Sequence, residues 1–582
     1  MRRHPCLVVP LLLLAACATT GEFPPGKPDP LGRAREVLEG FGKRAGLVLE
    51  TDAYGDGATR LVYLDQGWGP PETLWYYHAD QGSVLMPYDT LVHLEQADSD
   101  KPFILPEHLT RFRFLPQHKT PNNPDALPVG FARHKDKVGL TCAACHTGQI
   151  NYRGTAMRID GAPALIDFVG LLRAMKAALA ATLADDAKLA RFAAAVPRGG
   201  KDSASLEAAR QSLTQTLQWF ENYDAVNRST TVEGFGRLDA VGRIINQAIR
   251  FTSDPKNSIE PNAPTSFPLL WDAPRHDYVQ WTGFSANAGA GSLGRNTGEV
   301  VGVFGHVEVK HYETEQEARR GYPSTIETNE LVAMEETLRS LQSPQWPEEL
   351  LPPIDRQRAA RGEALYRTHC LSCHASIDRD DPKRSVVAMM TGIDIVGTDE
   401  TTARNIVEAR VPAGVLEGAI SLKGEKYGAE VSALALVGDL ATRSVSAHPD
   451  AALKAVANAR LHGQTETARQ GNHTKSSDKN PTAELLSYKA RPLNGAWASS
   501  PYLHNGSVPT LYDLLLPPAE RPRVFSVGRW EYDPRKVGYV SDGQVPFVLD
   551  TRAVGNSNRG HEYGVTLPEE DRWALVEYLK TL

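Results

Sequence analysis

The chain has 582 residues, a formal net charge of −7, 41% hydrophobic and 23% charged residues, and no strong block of either sign. That composition fits a globular protein of roughly two to four domains with apolar surface for real cores. It excludes a nucleic-acid binder, which needs a basic stripe to neutralise phosphates.

At the start, Arg2-Arg3 precede an apolar run from Leu7 to Ala16 that stops at Cys17. This is a positive n-region followed by an h-region too short to span a bilayer, and it predicts an export signal. Leu14-Ala15-Ala16-Cys17 resembles the bacterial lipobox, whose Cys is acylated after cleavage; the alternative is an ordinary secretory peptide cut at the same Ala-rich place. Several acyl chains make a durable anchor where one binds only marginally. Ala18 stands where an inner-membrane retention signal would carry Asp, which favours the outer membrane. The expectation is an exported, lipid-anchored protein of the bacterial cell envelope, on the outer membrane or periplasmic side. Residues 1–17 form the lipoprotein-type signal and residues 18–60 a tether and lead-in. No later segment is long and apolar enough to be transmembrane.

Further along, 3.6-residue periodicity predicts helices over 164–195, 203–222, 329–341, 356–369 and 569–582. The 48 Gly and 40 Pro mark much of the remainder as loop, and no strand array or short tandem repeat is visible. The predicted fold class is mainly α with extensive loops.

Two pentapeptides carry chemistry: Cys142-Ala143-Ala144-Cys145-His146 and Cys370-Leu371-Ser372-Cys373-His374. In each C-x-x-C-H, two thiols reach the vinyl groups of one porphyrin and the adjacent His is placed under the iron. A zinc site or a pair of thioredoxin-like dithiols is the plain alternative. It fits poorly, because both pairs carry the trailing His and no thioredoxin-like pattern surrounds them. Of the six Cys, the other two, Cys6 and Cys17, lie in the targeting segment, so no thiol is left for a disulfide.

Around the second pentapeptide, Gly362, Tyr366 and Cys370 recur at i, i+4 and i+8 on a helix leading into the haem loop, as in a class I cytochrome c. The last helix is amphipathic through Trp573, Leu575, Tyr578, Leu579 and Leu582, and in cytochromes c it crosses the first where Gly allows close approach. The first pentapeptide lacks such a leading helix. The domains are therefore read as an N-terminal haem domain over 61–345, enlarged by insertions, a Pro-rich linker over 346–353, and a C-terminal cytochrome c-type domain over 354–582.

The stretches 140–150, 158–163, Gly234-Phe235-Gly236-Arg237-Leu238-Asp239-Ala240 and Pro501-Tyr502-Leu503-His504-Asn505-Gly506 resemble the RoxA-like dihaem rubber oxygenase family, which belongs with dihaem cytochrome c peroxidases and MauG-type enzymes. The likeness runs from about Tyr63 to the C-terminus. It implies two covalent haem c groups. His146 would be the proximal ligand of a haem left open to substrate. His374 would be proximal on the second haem, with His561 opposite it; His504 and Met389 or Met390 are the alternatives for that place. It also implies that Trp271 and Phe284 build the distal pocket of the open haem, although clustered aromatics are more often plain core. Arg237 and Asp239 are read as serving haem propionates or an interhaem contact, or as forming an ordinary surface ion pair. Trp346 is read as lying between the haems or anchoring the linker. A Ca²⁺ between domains is a further possibility.

An open haem can split peroxide, which needs a Glu, Gln or His to move a proton between oxygens, or add dioxygen across an alkene, which favours an apolar pocket. Oxygen-dependent cleavage of a polyisoprenoid-like hydrocarbon is the preferred expectation. Peroxide reduction fed by a redox protein donor is second, and a pure electron carrier with both irons fully ligated is third.

Overall fold

The computed structural model describes residues 54–120, 123–197, 199–384, 386–462, 470–543 and 547–582. The expected signal segment, Cys17 and most of the tether lie outside these residues. Among the described residues no helix is long and apolar enough to cross a membrane.

Secondary structure is mixed, 39% helix and 15% strand, rather than mainly helical. The strands escape a sequence reading because they are short and pair over long range. Arg60–Tyr63 runs parallel to the start of Thr155–Asp160, which pairs antiparallel with Thr147–Tyr152. Among the described residues no sheet exceeds three strands.

Helix Arg356–His369 forms as the periodicity predicts, and Ser203–Val226 and Thr328–Leu338 lie close to expectation. The expected helix over 164–195 is two helices, Phe168–Ala184 and Asp186–Ala195. Asp185 leaves helical geometry between them, and its carboxylate accepts from the Ala187 and Lys188 amides; such a cap starts a new helix. Gly291–Gly302 is helical against its local propensity, which its four Gly lower.

One hydrophobic cluster draws on both halves of the chain, from Tyr54 through Ile159 and Leu341 to Trp530 and Leu579. The segment read as a linker is part of it. Trp346 meets Trp497 edge-on at 5.3 Å, donates its indole N–H to the Pro352 carbonyl and lies 5.0 Å from the Lys580 ammonium, so it anchors the crossover.

In the C-terminal half, helices Arg356–His369 and Glu569–Leu579 cross as in a cytochrome c. A Cβ on Gly362 would stand 2.0 Å from the Ala574 carbonyl oxygen. The crossing therefore requires glycine, and Gly362→Ala is expected to cost about 3 kcal/mol or more by forcing the helices apart. Urea unfolding of the haem-loaded protein checks this; an unchanged midpoint would refute it.

Candidate active site

The two pentapeptides share one cavity with an empty volume of about 2280 Å³, partly open to solvent. Cys142 and His146 line one part of it, and Cys370, Cys373, His374 and His561 another.

Both motifs are braced alike. The Tyr366 hydroxyl donates to the His374 carbonyl at 2.5 Å, and the Tyr76 hydroxyl donates to the His146 carbonyl at 2.7 Å. Tyr76 sits on helix Pro70–His78. The first motif thus has its leading helix after all, separated from it by the stretch 79–141. That stretch includes the hairpin of Phe131–His134 and Lys137–Leu140, which runs directly into Cys142. Sequence spacing hid the equivalence.

The imidazole of each motif is oriented by a main-chain carbonyl: His146 Nδ1 lies 2.8 Å from the Pro268 oxygen and His374 Nδ1 2.7 Å from the Arg491 oxygen. A carbonyl only accepts, so Nδ1 carries the proton and Nε2 keeps the lone pair that binds a metal. Burial pushes His146 down to about 4, which keeps the ring neutral. Burial pushes Cys142, Cys145 and Cys370 up to about 12, so these pockets suit uncharged sulfur, as in a thioether. The four cysteines form no disulfide. Among the described residues they join no cluster of metal donors, which removes support for zinc. The residues fit covalent haem.

The His374 and His561 ring centroids lie 6.2 Å apart, with the ring planes tilted by 54°. Two imidazoles across one iron, with metal–nitrogen bonds of about 2 Å, place their centres about 6 Å apart. The His561 loop is held by Arg521, whose guanidinium donates to the carbonyls of Leu514, Leu516, Asn558, Gly560 and His561. His146 instead meets Phe267 edge-on, at 6.0 Å.

Of the alternatives, only His504 shares the cavity. His504 lines the cavity with its ring stacked on Tyr488 at 4.1 Å. Met389 and Met390 belong to strand Met389–Gly392 and are not cavity-lining residues. Neither are Trp271 and Phe284. Trp271 is 1% exposed in the core, its indole N–H committed to the Asn494 carbonyl. Arg237 and Asp239 are likewise not among the cavity-lining residues, although Ser266, the strand partner of Arg237, is. Arg237 donates to Asn556 Oδ1 and to the carbonyls of Glu233 and Asn505; Asp239 caps helix Ala240–Thr252. Both side chains thus have protein partners, and they form no ion pair with each other.

Sequence reasoning missed the polar cluster beside the first pair. Gln280, at φ +70, donates to Glu299 Oε1 at 2.8 Å, and Arg295 Nη1 stands 3.8 Å from the same oxygen. Arg295 also pairs closely with Glu335. Burial pushes Glu299 above the ordinary carboxylate range, with Arg295 partly offsetting it. Burial opposes the Arg295 charge, but Glu335 and Glu299 more than compensate. Gln280, Arg295 and Glu299 line the same cavity as Cys142 and His146. The i,i+4 spacing of Arg295 and Glu299 was the one signal available; nothing local ties Gln280 to them.

Elsewhere Asp80, His134 and Glu327 bring one donor atom each within 4.8 Å of one another. A nitrogen donor suits a transition metal better than Ca²⁺, and the group is satisfied as a 2.8 Å His134–Asp80 pair.

Burial holds His504 near 4. Its folded value lies below the unfolded one of about 6.5, so the unfolded chain binds more protons between those values and stability falls as pH drops through that window. His504→Gln is expected to flatten the fall by up to ~3 kcal/mol, read from urea midpoints between pH 6.5 and 4.5; an unaltered slope would refute this.

A cavity bearing two C-x-x-C-H motifs beside a crossed helix pair defines a cytochrome c-like haem protein. Residues 487–526 match the RoxA-like, cytochrome c-like family, and this segment carries Arg491, His504 and Arg521. The chain is 32% identical to uncharacterized protein y4iJ of Sinorhizobium fredii, over 90% of its own length and 93% of that protein's. It is 27% identical to y4iM of the same organism, over 56% of its length and 67% of the other's. The chain belongs to the family of y4iJ; its 487–526 segment is similar to a RoxA-like, cytochrome c-like domain, which implies haem c and hints at oxidoreductase chemistry.

Proposed function

We propose that this chain is a dihaem c-type cytochrome that reduces hydrogen peroxide to two waters, taking two electrons from an external one-electron donor and two protons from solvent. Cys142, Cys145 and His146 would hold the haem that meets peroxide. Cys370, Cys373, His374 and His561 would hold the second, closed on both sides. When bound, the haems supply irons that exchange electrons with donor and substrate.

The observation that supports peroxide over hydrocarbon is the cluster of Glu299, Gln280 and Arg295 beside the first pair. Glu299 would take the proton from one peroxide oxygen and deliver it to the other, which leaves as water. Gln280 holds the carboxylate in place; a non-glycine residue at positive φ is a strain often found at such sites. Arg295 stabilises the negative charge that builds as the O–O bond breaks.

Oxygen-dependent cleavage of a polyisoprenoid-like hydrocarbon is the second reading. It draws on the RoxA-like match and on the apolar wall of Phe267, Leu269, Leu270, Val279 and Trp281. Aerobic incubation with polyisoprene, with mass spectrometry of the products, run beside a peroxide assay with a reduced cytochrome donor, decides between them. Intact polymer with rapid peroxide turnover supports the first reading; aldehyde and ketone fragments with slow turnover support the second. Two fully ligated irons and neither activity would leave an electron carrier. Export and acylation at Cys17 would keep the enzyme in the bacterial envelope beside its donor, and incorporation of labelled fatty acid, lost on Cys17→Ser, tests that.

A further inference from the structure

The two proximal histidines are linked through one side chain. Pro268 supplies the carbonyl that orients His146, and Arg491 supplies the carbonyl that orients His374. The guanidinium of the same Arg491 reaches back to the first segment: Nη1 donates to the Leu269 carbonyl at 3.0 Å and Nη2 to the Trp271 carbonyl at 2.7 Å. The Trp271 indole N–H returns to the Asn494 carbonyl at 2.9 Å. Three hydrogen bonds thus join the segment that sets one imidazole to the segment that sets the other.

Both orienting carbonyls sit in stiff backbone. Pro268 has its own φ fixed, and Arg491 precedes Pro492, which restricts the residue before it. A planar guanidinium with two bonds in fixed directions transmits displacement where a flexible ammonium would absorb it. The hydrogen bond to a ligand imidazole sets ring direction and basicity, so a shift of either segment alters how strongly its His binds iron.

We propose that Arg491 is a positioning residue that couples the two haem-ligand histidines, so that the redox state of one haem site adjusts ligand strength at the other. This rests on the dihaem reading. Nothing in it depends on whether the substrate is peroxide or an alkene.

The test uses the full haem-loaded chain and its Arg491→Met and Arg491→Lys variants, titrated with dithionite and followed by resonance Raman of the iron–histidine modes. Haem is counted first by pyridine haemochrome, and one haem per chain in the parent would overturn the dihaem reading itself. With two haems present, half-reduction of the parent is expected to shift the signature of the haem still oxidised. A coupling of about tenfold between the two reduction steps is expected to fall toward none in Arg491→Met, with both signatures moved together. Arg491→Lys should keep part of the coupling. Lower thermal stability with unchanged coupling and signatures would overturn the proposal and leave Arg491 a packing residue. If Arg491→Met fails to fold, absence of any cross-shift in the half-reduced parent overturns it equally.

Discussion

Glu299→Gln is expected to lower peroxide turnover by about 100-fold or more, the usual contribution of a positioned acid–base group, while haem content and visible spectrum stay as in the parent. The amide keeps the shape of the carboxylate but cannot carry a proton from one oxygen to the other. The pH profile supplies a separate signature. Because burial raises Glu299, the carboxylate that accepts the proton forms only as pH climbs above the ordinary carboxylate range. Activity should therefore rise along a limb displaced to higher pH, and the Gln variant should lose that limb. Equal turnover in parent and variant would refute the role of Glu299 and return weight to hydrocarbon cleavage, which has no use for a proton shuttle.

His561→Ala should open the second haem. Carbon monoxide binding to the reduced protein is expected to rise from one to two per chain, with low-spin absorption lost at one haem. The 6.2 Å between the His374 and His561 ring centres leaves room for one iron and no substrate. The loop that presents His561 should outlast the change, because Arg521 holds its carbonyls. Close packing helps too: a Cβ on Gly560 would stand 2.2 Å from the Gly397 carbonyl carbon. An unchanged carbon monoxide count in the variant would move the sixth ligand elsewhere, with His504 the next candidate on the cavity wall.

Where residue order is rigid, the sequence reading carried far. A C-x-x-C-H pins three groups within five residues, and both copies lie on one cavity with the ring nitrogens oriented for metal. Gly362 and Tyr366 on the helix before Cys370 were legible because i, i+4 and i+8 share a face. Trp271 and Phe284 rest on the family resemblance, which assigns aromatic side chains to the distal pocket. An aromatic fills core as readily as it lines a pocket, and Trp271 does the former.

The chain order by itself determined the haem-binding chemistry, the form of the C-terminal helix pair and the candidate ligands, because covalent spacing and helical period act over a few residues. Tertiary structure alone decided that Tyr76 braces the first motif as Tyr366 braces the second, that Gln280 meets Glu299, and that Arg491 joins the segments behind both histidines. Apart from the local Tyr366 bond, 8 positions long, these contacts join residues 19 to 222 positions apart in the chain. Only the closing of buried polar groups onto distant carbonyls and carboxylates brings them together, and no local pattern encodes which partner each will find.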